Sequence, residues 1–302
     1  MRNALHLSLS SVAVCVALAG CGGFVRNAAA DAVSGAGQAY AADDDPELVK
    51  QALPFGLKMI EALLEKSPDD PKLLLAAASG FTQYAWAFAM PDAERLEPTD
   101  PDGARAALTR TRKLLRRARR YGLHGLDVTH PGFTERLGRD RDAAVAILGV
   151  ADVPLAYWTA SSWGALISLS KQDMSVVAEL PRMEALMGRV LALDEAFDEG
   201  AVHEFYLVYD GGRGEASGGS VERAKQHFAR AMALNRGQKL GPLVSYAEVL
   251  SVQAQNRREF DELLDRVLAF DVDSAPRYRL VNTLAQERAR RLKSRAADLF
   301  LE

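Results

Sequence analysis

The chain writes one helix ending three times, as Val190-Leu191-Ala192-Leu193-Asp194, Ala231-Met232-Ala233-Leu234-Asn235 and Val267-Leu268-Ala269-Phe270-Asp271. The copies start 41 and 36 residues apart, close to the period of about 34 residues at which helix–turn–helix units stack. A fainter copy, Ala62-Leu63-Leu64-Glu65-Lys66-Ser67, stands upstream. A unit of this kind exposes an apolar face that only its neighbour can cover, so the units must stack into a curved array with a concave side. The rest of the pattern agrees. Leu48, Ala52, Phe55, Met59 and Leu63 recur at spacings of three or four and form one helical stripe. Pro46 and Glu47 make a good helix start, and Ser67 through Pro71 ends that helix and begins the next, which runs to about Met90. Further helices are predicted over 101–121, 133–148, 152–170, 175–193, 200–209, 219–235, 241–255, 257–270 and 276–299. Pro98, Gly122, Gly125, Pro131, Pro154, Pro181, Gly211-Gly212 and Pro276 serve as breaks. Alternating strand patterns are missing and β-branched residues are sparse. The expected fold is all-α, an irregular helical-repeat solenoid in which the stretch 122–171 fits no unit.

Ahead of the array stands a different signal. Arg2 supplies a positive start and Leu5 through Leu18 is mostly apolar, the length of a signal h-region and too short to span a bilayer. Leu18-Ala19-Gly20-Cys21 closes that run and resembles the lipobox of bacterial lipoproteins. The resemblance implies cleavage before Cys21, diacylglycerol on its sulfur and a third acyl chain on its new amine, which hold far better than one chain. The competing reading is an ordinary secretory signal with a chance cysteine. Residues 1–20 are thus expected to be a signal peptide, 21–45 a lipidated, Ala/Gly-rich tether and 46–302 the tetratricopeptide-like domain. The chain is expected in the periplasm, held to a membrane by its lipid. Gly22 lacks the Asp that often retains lipoproteins at the inner membrane, so the outer membrane is favoured. Cys15 leaves with the signal and Cys21 is consumed, so no thiol remains for a disulfide, a metal or a nucleophile. No later apolar stretch is expected to approach the ~18 residues of a transmembrane helix.

Composition narrows function by exclusion. A formal charge of −3 argues against a nucleic-acid partner. Arg105, Arg110, Arg112, Lys113, Arg116, Arg117, Arg119 and Arg120 nevertheless make one helix strongly basic, and Arg288, Arg290, Arg291, Lys293 and Arg295 do the same near the end. A solvated face is the plain reading, and an electrostatic docking patch for an acidic partner or anionic headgroups is the other. Aromatic residues gather in three segments, 79–88, 157–164 and 198–209. Core packing accounts for most such residues. The sharper reading is a pocket, for which Tyr84, Trp86, Trp158, Trp163, His203 and Glu204 are the candidate lining residues. Trp158 and Trp163 cannot share one narrow stripe, and Ala160, Ser161 and Gly164 leave room for a helix or a ligand. His203 and Glu204 are adjacent, and neighbours on a helix do not face each other. A hydrolase built on them would lack a nucleophile. His124 and His130 read as surface positions and His227 as isolated on its helix. No metal-ligand spacing, GxSxG motif or phosphate loop is present, so no catalytic residue, metal or cofactor is expected.

Several stretches, taken in order, resemble one family. They are Asp45-Pro46-Glu47-Leu48-Val49, Leu74 through Phe88, Asp152-Val153-Pro154 through Ser168, Leu193-Asp194 through Phe205, and Leu284 through Leu292. Together they are similar to the T-component (TatT) family of tripartite TRAP transporters, over about residues 43–300. The resemblance implies periplasmic lipoproteins with tetratricopeptide-like arrays and pore- or pocket-like cavities. It implies association with the periplasmic substrate-binding subunit of a TRAP transporter, with homo-oligomerisation left open, and no enzymatic activity. It transfers no ligand-binding residues. The expected function is a tethered protein that docks the substrate-binding subunit and holds or passes a small, partly apolar ligand. The alternative is a general envelope scaffold or assembly factor unrelated to transport.

Overall fold

Three Asp-Pro pairs start the first three long helices by the same chemistry. The Asp45 carboxylate accepts hydrogen bonds from the backbone N–H of Glu47 and Leu48, Asp70 from Lys72 and Leu73, and Asp100 from Gly103. The proline that follows each aspartate fits the first turn, where no N–H is needed. The structure is a computed structural model that describes residues 40–301. The expected signal peptide, Cys21 and the expected tether up to residue 39 lie outside the described residues.

Helix α1 spans Pro46–Lys66, α2 Pro71–Leu96, α3 Pro101–Thr129, α4 Phe133–Arg139, α5 Arg141–Ala146 and α6 Val153–Ser168. Then follow α7 (Leu180–Leu193), α8 (Ala201–Gly211), α9 (Val221–Leu234), α10 (Gly241–Tyr246), α11 (Arg257–Leu268) and α12 (Arg279–Ser294). No strand occurs among the described residues, and the fold is all-α. Two π-helical stretches, Ala85–Ala89 within α2 and Ala247–Ser251 directly after α10, interrupt the regular ladder. The thrice-written motif does close helices, namely α7, α9 and α11, and Val190, Ala231 and Val267 are each buried.

Helix α1 packs on α2, α2 on α3, α3 on α6 and α6 on α7; α8 pairs with α9, and α11 with α12. The last long helix also meets the first. Leu280 and Leu284 of α12 enter the core that Val49, Leu57, Leu74 and Phe81 form between α1 and α2. Arg279 Nη1 donates to the Ala42 carbonyl at 3.0 Å, and Arg291 lies 3.6 Å from Glu94 of α2. The two ends of the array are joined.

Three expectations change. Helix α3 runs straight through Gly122 and Gly125 instead of stopping at 121. There the absent side chains serve close packing: a Cβ on Gly122 would lie 3.2 Å from the Thr159 Cα, and one on Gly125 2.7 Å from Leu155 Cδ2. The stretch 133–148 is two helices, because Asp140 leaves helical geometry and accepts from Ala143 N–H to start α5. Finally, Pro71–Leu96 is long and apolar enough to cross a membrane by length and composition, contrary to the reading that no such stretch exists. Its apolarity has a local reason, since Leu73, Leu74, Ala77, Ala78 and Phe81 are core residues.

Candidate functional site

The loop between α7 and α8 sets the position of the most unusual side chain. Asp198, Glu199 and Gly200 take φ of 45°, 57° and 93° in succession. The first two are strained as non-glycine residues, at a cost of about 1 kcal/mol or more each. Lys239 holds them. Its Nζ donates to the Asp198 carbonyl at 2.8 Å and to Asp198 Oδ1 at 2.9 Å, and lies 3.4 Å from Glu199 Oε2. Arg277 adds an ion pair to Glu199 at 3.0 Å. Helix α8 therefore starts from a fixed point, and its side chains diverge to three different surroundings.

Glu204 faces inward. Its carboxyl lies against Gly241 at the start of α10, where a Cβ would overlap it. It has no hydrogen-bond partner among the described residues, yet it keeps part of its surface open. Protein packs around it on the side of Gly241, and the residue is partly exposed. Burial raises its pKa above the usual 4.5, and Asp198 adds to the rise while Lys239 and Arg288 oppose it. Tyr157 of α6 shares this environment. Its hydroxyl donates to the Ala201 carbonyl at 3.4 Å, and its ring meets Trp158 edge-on and Phe197 at an angle, each at 5.1 Å. Burial, then Asp198 and Glu204, push its phenol well above 10.

Arg288 of α12 is the common neighbour of a second group of acids. It pairs with Glu248, in the second π-helical stretch, and its charge reaches both Glu204 and Glu94. Glu94 is also raised, by burial first and then by Glu248, against the pull of Arg288, Arg291 and Arg295. Carboxyls from α2, α8 and the second π-helical stretch thus converge on Arg288 of α12. An isolated buried charge is costly, so such groups pair or stay protonated.

The six sequence candidates occupy different places. Trp158 and Glu204 both adjoin Tyr157. Tyr84 is buried, packs on Phe88 at 5.8 Å and lies 3.5 Å from Arg110 Nη2. Trp86, in the first π-helical stretch, is 45% exposed. Trp163 is buried, donates from Nε1 to Glu179 at 2.9 Å and lies under the Arg119 guanidinium. The small Gly164 beside it is approached by the Phe205 ring of α8.

His203 turns to α9 and away from Glu204. His227, read from sequence as isolated, sits 2.8 Å from it, Nδ1 to Nδ1. His203 Nε2 faces Glu195 at 3.2 Å, which assigns its hydrogen to Nε2 and leaves its Nδ1 to accept from His227. Burial lowers both imidazoles below 6.5. The Tyr206 ring stacks on His227 at 5.0 Å. The pair ties α8 to α9 and offers no acid–base dyad with Glu204. His124 lies within α3, 2.9 Å from Asp69, and His130 caps the end of α3, 3.0 Å from Asp152. No cluster of three potential metal ligands occurs among the described residues. Lys239, Glu94 and Glu248 escaped the sequence reading because each looks like one more surface charge on an amphipathic helix, and Arg288 was read only as part of a basic face.

A pH experiment isolates Glu204. Its folded pKa lies above its unfolded value, so the stability linked to its proton is complete below about pH 4.5 and is lost as pH rises through the folded value. Glu204→Gln keeps the shape and cannot ionise. Melting curves from pH 4 to 8 should show wild type and variant alike at pH 4, with the variant increasingly the more stable toward pH 8.

The family described as TRAP transporter T-component matches residues 42–300. An uncharacterized protein of Treponema pallidum (strain Nichols) is 32% identical over 267 residues, which is 87% of this chain and 83% of its own length.

Proposed function

The chain belongs to the TRAP transporter T-component family, and from that premise we propose that it is a lipid-anchored periplasmic protein that docks the transporter's substrate-binding subunit. In this reading it also holds or passes a small, partly apolar ligand. Family membership makes it a component of a transporter, in a family that is not one of enzymes, and supports a location in the periplasm or at a membrane. The finer statements rest on residues. The lipobox around Cys21 supports the anchor, with the outer membrane favoured by Gly22. A tether raises the effective concentration of any partner it meets, so even weak docking becomes productive.

The observation that supports ligand handling is Glu204, a carboxyl packed against Gly241 with no hydrogen-bond partner among the described residues, near Tyr157, whose ring meets Trp158. Few polar groups set among aromatic rings is the composition of a small-molecule site. The other candidates, Tyr84, Trp86, Trp163 and His203, serve in this reading as parts of the walls.

The test is affinity purification of the tagged, lipidated protein from its own cells, with mass spectrometry of what accompanies it. Recovery of a TRAP substrate-binding subunit is the expected result. Recovery of envelope-assembly proteins alone, or of nothing above background, would overturn the docking role.

A further inference from the structure

The outer side of α3 carries a row of cations that form no salt bridge within the described fold. Lys113, Arg116 and Arg120 are exposed, stand at i, i+3 and i+7, and have no carboxylate within 4.0 Å among the described residues. At a rise of about 1.5 Å per residue the row is about 10 Å long. Arg117 and Arg119 flank it, and these two are neutralised, Arg117 by Glu61 at 3.3 Å and Arg119 by Glu179. All five line one hollow of about 690 Å³, in which Asp127 is the single acid.

Three of these guanidiniums are held in place by rings. Arg117 lies 5.2 Å from the Phe81 centroid, Arg119 5.1 Å from that of Trp163 and Arg120 5.2 Å from that of Tyr121. Stacking fixes the plane of a guanidinium and reduces the entropy lost when it binds. A planar fork held in this way matches a carboxylate in two-point contact. The hollow is shallow and open, lined by the outer face of α3 and Thr134, and the docking role proposed above favours a protein segment there over a membrane surface. The formal charge of the whole chain is −3, which makes this positive surface a local reversal and not a general property.

We propose that this groove is the docking surface for an acidic segment of the substrate-binding subunit, with carboxylates spaced along about 10 Å meeting Lys113, Arg116 and Arg120. The assignment rests on the docking role proposed above and adds to it the face used and the chemistry of the partner. Exposed complementary charges act mainly on the rate of encounter, so the association should be strongly salt-dependent.

The experiment uses the full-length lipidated protein in detergent, with the purified substrate-binding subunit of the same transporter as probe. Dissociation constants are measured at 50 and 300 mM salt for wild type, for Lys113→Glu/Arg116→Glu/Arg120→Glu, and for a control reversal of exposed cations elsewhere, Lys225→Glu/Arg266→Glu/Arg290→Glu. Melting curves verify that each variant is folded. The expected result is a loss of about tenfold or more in the first variant at low salt, with its salt dependence flattened and the control unchanged. Equal binding by wild type and first variant overturns the groove and leaves docking intact. Absence of wild-type binding overturns docking and the groove with it. A first variant that binds the subunit normally but no longer sediments with phosphatidylglycerol vesicles makes the row a lipid-binding surface, which also overturns the proposal.

Discussion

Gly122→Leu is expected to lower the melting midpoint by roughly 5–10 °C, corresponding to a loss of about 3 kcal/mol or more. On an isolated helix the same change would be favourable by nearly 1 kcal/mol, because glycine is a poor helix former. Here the backbone of α6 decides the sign. A Cβ at position 122 would stand 3.0 Å from the Thr159 Cβ and 3.2 Å from its Cα, and would overlap its hydroxyl oxygen. Thr159 is itself buried and its hydroxyl donates to the Leu155 carbonyl at 2.6 Å. The side chain has nowhere to turn, so the helices must separate. Thr159→Ala removes only the hydroxyl and methyl groups and leaves in place the backbone atoms that crowd position 122. The double variant should therefore recover part of the loss and not all of it. Full recovery in thermal melts would mean that the hydroxyl alone keeps position 122 small.

This glycine also shows what the sequence concealed. Read along the chain, Gly122 and Gly125 are punctuation at the end of a helix; read across the fold, they are where α3 and α6 touch. The helical class, the helix starts near Pro46, Pro71 and position 101 and the repeated endings of α7, α9 and α11 were legible because each depends on neighbours a few residues away. The closure of α12 on α1 was not, since Leu280 looks like any other residue of an apolar stripe until Val49 and Leu57 are seen beside it. The site divides in the same way. Trp158 and Glu204 stood out by residue type, and both lie beside Tyr157. Their surroundings could not be read, because Lys239 and Arg288 come from elements far along the chain, and the basic face that marks Arg288 gives no hint of Glu204. His203 and Glu204 illustrate the reverse case: adjacency suggested no dyad, and helix geometry sends one to α9 and the other to the interior.

Asn282→Leu should be as damaging as a large core deletion, although it replaces a polar residue in the interior with an apolar one of similar size. The position lies on α12 and is fully buried. Its Oδ1 accepts from the Leu240 backbone N–H at 3.0 Å, and its Nδ2 donates to the Gln238 carbonyl at 2.8 Å. One side chain thus satisfies both a donor and an acceptor in the turn that leads into α10. Leaving a buried donor or acceptor without a partner costs about 1–3 kcal/mol, so losing both should cost roughly 2–5 kcal/mol. One turn further along, Gln286 Nε2 donates to the carbonyls of Val267 at 3.1 Å and Phe270 at 2.8 Å, closing the end of α11 by the same device. Asn282→Asp separates the two bonds: its carboxylate still accepts from Leu240 N–H, but it faces the Gln238 carbonyl without a proton to give. If the orphaned carbonyl matters, this variant should regain stability on acidification, when a protonated carboxyl can donate again, whereas Asn282→Leu should not respond. A loss in Asn282→Leu below about 1 kcal/mol, measured by denaturant titration, would mean that water enters the turn and replaces both bonds. Because Leu240 and Gln238 adjoin Lys239, which fixes the loop that carries α8, the same damage should reach the position of Glu204 as well as the fold.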